Sequence, residues 1–132
     1  RQSVRKYCEN GGRVLAECGG MMYLCDTITD GDGKVYPMAG VLKQGATMEQ
    51  MKLKLGYREV RVNGQRIRGH EFHYSRILPG HEKIPVIGTI YNAKDMVVDT
   101  PVYTYKNVLA SYIHFYWGEC GIDHFLMLMS QK

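Results

Sequence analysis

The sequence predicts an α/β domain built on a parallel sheet, and its first thirty residues carry most of that prediction. Residues 2–9 place Val4, Tyr7 and Cys8 at helical spacing. Residues 13–17, with Val14 and Leu15, read as a short buried strand, and Gly19-Gly20 then opens a second helix. Helix, buried strand, sharp turn and helix in succession form the pattern of a parallel sheet covered by helices. A length of 132 residues suffices for one such core and not for two.

Each element has a local reason. Asn10-Gly11-Gly12 stops the first helix, because glycine accepts the left-handed conformation at a helix C-terminus. Met21, Leu24 and Cys25 fall at i, i+3 and i+4 and extend the second helix up to the Asp30-Gly31-Asp32-Gly33 turn. Strands are expected over residues 35–42, 55–62, 67–75, 86–92, 97–103 and 108–115. Asn63-Gly64 between two of them signals a two-residue hairpin. Residues 122–129 close the chain as a helix with Ile122, Phe125, Leu126 and Met129 on its packing face. There is no internal repeat, linker or low-complexity tract, so residues 1–132 are expected to form a single domain.

Composition excludes several classes. Hydrophobic residues at 45% and charged residues at 23% give the balance of a globular chain rather than a disordered one. No apolar run approaches the roughly 18–20 residues of a membrane span. The net charge of +4 comes from basic residues scattered along the whole chain, with a loose cluster over residues 58–68, whereas a nucleic-acid binder concentrates them on one face. The four cysteines, at 8, 18, 25 and 120, contain no CxxC pair and fit neither a zinc site nor a disulfide framework. Reduced thiols in a cytoplasmic protein are the expectation. The chain begins with Arg1 inside a helix, which points to a piece of a longer polypeptide.

The stretch from Val14 to Leu24 carries the chemistry. A buried strand runs into Cys18, two glycines follow, and a helix begins; this is the layout of a nucleophile elbow. The turn requires small residues two positions to either side, and Ala16 and Gly20 are small. The helix N-terminus is expected to draw the Cys18 thiol below its usual range, with the Gly19 N–H aimed at a developing oxyanion. The competing reading makes Cys18 a small packed residue at the end of a strand. Cys8 and Cys25 read as helix-face core residues.

A nucleophilic cysteine needs a base. His114 lies near the C-terminal end of an apolar strand, the end where ligands gather in open α/β sheets. His81 follows Pro79-Gly80 and reads as a loop residue, and His124 sits on the closing helix. In Gly69-His70-Glu71-Phe72-His73-Tyr74-Ser75 the two histidines are three apart on a strand and point to opposite sides, which argues against a metal site. Glu71, His73 and Ser75 share one face and can line a pocket.

Three motifs in this order, AECGGMMYL, GHEFHYS and ASYIHFYW, resemble the glutamine amidotransferase domain of cobyrinic acid a,c-diamide synthases over nearly the whole chain. The resemblance implies a class I glutamine amidotransferase-like (flavodoxin-like) fold, a three-layer sandwich with a central mixed sheet, lacking its N-terminal part. It implies Cys18 as nucleophile, His114 as the histidine that raises its reactivity, Gly19 as oxyanion donor, and Tyr74 and Ser75 alongside bound glutamine. It also implies a synthetase domain outside this chain that activates a corrinoid carboxylate with Mg-ATP. No metal or cofactor is expected within residues 1–132. Two departures stand out. Tyr116 occupies the position where most class I amidotransferases carry glutamate, with Glu119 a poor geometric substitute, so a Cys–His dyad is expected. The family's glycine-rich oxyanion loop would precede the first residue, so the isolated chain is expected to be weakly active or inactive and to self-associate through an exposed apolar edge. The acceptor stays open between cobyrinic acid and those of sibling enzymes acting on cobyric acid precursors or cell-wall lipid. A non-catalytic amidotransferase-like binding module is the remaining alternative.

Overall fold

The computed structural model describes residues 1–116. The helix expected over 122–129 therefore lies outside the described residues, as do Glu119, Cys120 and His124.

Helix α1 spans Gln2–Glu9 and ends as expected, with Gly11 at φ 87° and the N–H groups of Gly11 and Gly12 donating to the carbonyls of Cys8 and Tyr7. Strand β1 (Val14–Glu17) leads through Cys18 into helix α2 (Gly19–Leu24). Here the structure departs from expectation. Helix α2 has only six residues, and the chain passes directly into strand β2 (Cys25–Thr29). Thr27, Ile28 and Thr29 are β-branched and favour an extended backbone, which outweighs the helical spacing of Met21, Leu24 and Cys25. β2 pairs antiparallel with β3 (Val35–Pro37) and parallel with β4 (Leu42–Thr47); β7 (Arg76–Leu78) completes that sheet. The single strand expected over 35–42 is thus two, interrupted at Gly40, whose φ is 73°.

The hairpin of β5 (Lys54–Val62) and β6 (Gln65–His73) turns at Asn63-Gly64, both with positive φ, as the sequence predicts. β8 (Thr89–Tyr91) and β9 (Val97–Val98) extend its sheet on one side. β10 (Val102–Tyr105) and β11 (Val108–Ser111) pair antiparallel, and β11 runs parallel to β1 with Glu17 opposite Ser111. The strand expected over 108–115 breaks at Tyr112-Ile113. Its last two residues, β12 (His114–Phe115), leave the β1–β11–β10 sheet and join the edge of β6.

The three-stranded mixed sheet is the middle layer. Leu15, Val102 and Leu109 on one face pack with Val60, Ile67 and Ile90 of the hairpin sheet. Val14, Ala16, Val108 and Ala110 on the other face pack with Cys8, Met21, Leu24, Val41 and Leu42. Alternation along each strand feeds both cores. The result places the Cys18 turn at the end of a sheet buried on both sides.

Candidate active site

Cys18 has φ 50° and ψ −107°, a backbone state that costs a non-glycine residue roughly 1–3 kcal/mol and that clusters at functional turns. The turn is held from two directions. The Cys18 N–H donates to the Ser111 carbonyl (2.8 Å), tying it to β11, and the Cys18 carbonyl accepts the Met22 N–H (3.0 Å), starting α2. Small neighbours permit the geometry: a Cβ placed on Gly20 would lie 3.7 Å from Ala16 Cβ, and the space in front of Gly19 is open. The sequence reading of a strand-to-helix elbow therefore agrees with the structure.

The electrostatics differ from that reading. The Cys18 thiol is half-buried and its pKa is raised, first by burial and further by the negative charge of Glu71, while the backbone N–H of Gly19 opposes both. The expected depression fails because one turn of helix and one amide do not offset desolvation. Cys8 and Cys25 are fully buried, and burial pushes both thiols up, that of Cys25 to about 11.

His114 is half-buried on β12 opposite His70, and the two rings stack with centroids 5.3 Å apart. Among the described residues no hydrogen bond joins His114 to Cys18. Gly69 lets β12 approach, since a Cβ there would lie 2.3 Å from the His114 carbonyl oxygen. Tyr74 is exposed, its ring edge-on to Phe72. Ser75 is buried and reaches the elbow helix: its hydroxyl donates to Met22 Sδ (3.2 Å) and lies 2.9 Å from the Tyr112 hydroxyl. His81 is an exposed loop residue.

Glu71, His73 and Ser75 do share a buried face, while His70 points outward. They belong to a network that local spacing did not reveal. Glu71 accepts from Arg58 Nε (2.7 Å), from Thr100 Oγ1 (2.7 and 2.9 Å to its two oxygens) and from His73 Nε2 (2.5 Å). His73 Nδ1 donates to the Ser75 carbonyl (2.8 Å), and its ring lies flat on Tyr112, centroids 3.5 Å apart. Burial pushes the Glu71 carboxyl up, but the hydrogen bonds from His73, Thr100 and Arg58 prevail and hold it at about 2. The Tyr112 hydroxyl is pushed up to about 12 by burial. Among the described residues no three His, Cys, Asp or Glu side chains converge to hold a metal.

A strained cysteine at a strand-to-helix elbow in a three-layer sandwich defines a class I amidotransferase-like fold. The crystal structure of a protein described as a GMP synthase subunit from Thermoplasma acidophilum superposes on 97% of this chain and 63% of its own, with a TM-score of 0.51 at 13% identity. Residues 1–121 match the family model of the CobB/CobQ-like glutamine amidotransferase domain, and the chain belongs to that family. A cobyrinate a,c-diamide synthase of Caldanaerobacter subterraneus subsp. tengcongensis is 34% identical over 95% of this chain and 29% of its own length. A hydrogenobyrinate a,c-diamide synthase of Streptomyces coelicolor is 38% identical over 89% of this chain and 24% of its own. The chain thus spans about a quarter of the length of these relatives.

Proposed function

We propose that the chain supplies ammonia from glutamine for the ATP-dependent amidation of the a- and c-carboxylates of cobyrinic acid, in the biosynthesis of vitamin B12. The supporting observation is the strained Cys18 elbow, lying within the segment that matches the amidotransferase family. The names of the relatives support the corrinoid acceptor, and their greater length leaves room for the synthetase portion that would use Mg-ATP. No nucleotide chemistry is assigned to residues 1–132. Free thiols at Cys8, Cys18 and Cys25 suit a reducing, cytoplasmic setting, and no helix among the described residues is long and apolar enough to cross a membrane.

The proposed reaction is acyl transfer. His114 takes the Cys18 proton, and the sulfur attacks the side-chain carbonyl carbon of glutamine. The Gly19 N–H donates to the resulting oxyanion. Collapse breaks the C–N bond, and the proton on His114 leaves with ammonia. Water, deprotonated by the same histidine, then cleaves the thioester, releasing glutamate and restoring the thiol. Tyr74 and Ser75 line the bound glutamine through backbone groups. A thiol with a raised pKa gives His114 a defined task, because little thiolate exists before the base acts.

The deciding experiment is Cys18→Ala in the full-length gene product. Glutamine-dependent amidation should fall about 10⁴-fold or more, while amidation with free ammonium persists. Equal loss with both nitrogen donors would show that Cys18 does not serve glutamine hydrolysis.

A further inference from the structure

Glu17 immediately precedes the proposed nucleophile, and its carboxylate oxygen Oε2 accepts the backbone N–H of Phe115 at 2.7 Å. Phe115 immediately follows His114, so one side chain joins the residue before Cys18 to the residue after His114. The contact spans 98 positions in sequence and bridges the middle sheet to the hairpin sheet.

The topology explains why a carboxylate is needed there. Among the described residues β12 is the edge strand of its sheet, and the Tyr116 N–H donates inward to the Arg68 carbonyl (2.8 Å). Neighbouring N–H groups on a strand alternate in direction, so that of Phe115 points away from β6, toward the side where no further described strand pairs. Phe115 itself is buried, and a buried N–H needs an acceptor. Glu17 supplies it with a charge-assisted bond, stronger than a neutral one. Upstream, Ser111 fixes the turn: its carbonyl accepts the Cys18 N–H, and its hydroxyl oxygen accepts the Ile113 N–H (3.1 Å). Between Ser111 and Phe115 the chain changes sheets, and hydrogen bonds at both ends of that crossing tie it to the elbow.

We propose that Glu17 is a positioning residue for glutamine hydrolysis: by holding the Phe115 N–H it sets the β12 backbone, and with it His114, relative to Cys18. The proposal rests on the reading of Cys18 and His114 as the reacting pair. A misplacement of about 1 Å between reacting groups costs on the order of 10²-fold in rate, so a single anchoring bond at this point has leverage on turnover.

The test compares Glu17→Ala and Glu17→Gln with the unaltered full-length protein. Glutamate release should fall about ten- to hundredfold in kcat for Glu17→Ala, with KM changed less than about threefold. Glu17→Gln, whose amide oxygen can accept the same N–H, should recover most of that loss. Alkylation of Cys18 by iodoacetamide at high pH, which needs no base, should proceed equally in all three, whereas a general collapse of the elbow would change it. Hydrogen exchange at the Phe115 amide should accelerate in Glu17→Ala and stay slow in Glu17→Gln. Unchanged kcat in Glu17→Ala, or a loss in Glu17→Gln as deep as in Glu17→Ala, overturns the proposal alone. Absence of glutamate release from the unaltered protein overturns the reading beneath it and the proposal with it.

Discussion

Cys18 and Glu71 are both ionisable groups in the same end of the molecule, and the fold treats them in opposite ways. Glu71 is fully buried and both of its oxygens are occupied, by Arg58, Thr100 and His73. Its charge is compensated by these three donors, so it stays ionised down to a pH of about 2. Cys18 is half-buried and strained in its backbone, with burial holding the proton on and the Gly19 N–H opposing it. A saturated group builds structure, because nothing is left over for a ligand. A group kept short of partners has capacity that a substrate can fill. The two regions touch through Ser75, whose carbonyl accepts from His73 and whose hydroxyl meets Met22 on the elbow helix. The saturated region therefore holds the frame against which the unsaturated one works.

After loss of Cys18 itself, the largest effect should come from removing the base. If the Cys18 proton is held on by burial, His114→Ala should lower glutamine hydrolysis about 10²–10⁴-fold in the full-length protein, with amidation from free ammonium unaffected. The comparison breaks if the variant keeps full glutaminase activity.

Glu71 gives a smaller effect, read in stability rather than rate. Its carboxyl is depressed in the folded state, so its contribution is fully present above the unfolded pKa near 4.5 and is lost as pH falls toward about 2. Urea unfolding should show stability falling by on the order of 3 kcal/mol between pH 5 and pH 2 from this group. Glu71→Gln should flatten that slope while lowering stability at neutral pH, since Arg58 then lacks its counter-charge. An unaltered slope in Glu71→Gln would mean that other carboxylates carry the acid sensitivity.

The sequence reveals one of these regions far better than the other. The segment from Val14 through Gly20 is legible residue by residue, because strand, elbow and small flanking positions are all local requirements. The Asn63-Gly64 turn is legible for the same reason. Local spacing also places Glu71, His73 and Ser75 on one face. It cannot find Arg58 or Thr100, which lie 13 and 29 positions from Glu71 and meet it only through sheet pairing and packing. The crossing from β11 to β12 is hidden too, since Ser111 to Phe115 is equally apolar whether it continues one strand or changes sheets. The sign of the Cys18 shift fails for a related reason: the helix behind it is visible in sequence, but the degree of burial is not.

The smallest effect sharpens the contrast at the thiols themselves. Cys18 is the half-buried member of the three described cysteines, while Cys8 and Cys25 have no exposed surface. Selectivity in alkylation should thus come from access rather than from a lowered pKa. Brief treatment of the folded protein with iodoacetamide should label Cys18 ahead of Cys8 and Cys25, as peptide mass spectrometry would show. The rate at Cys18 should climb through pH 9 without levelling off below it, because burial and the Glu71 charge both keep the thiol protonated and the Gly19 N–H only partly offsets them. A glutamine-mimicking electrophile should behave differently, labelling Cys18 well below pH 9, since its binding brings a leaving group and the base into play together. Equal labelling of Cys8 or Cys25 in the folded state would refute the access argument. A plateau below pH 9 with iodoacetamide would show instead that a positive charge reaches the sulfur and that Cys18 is already activated before substrate arrives.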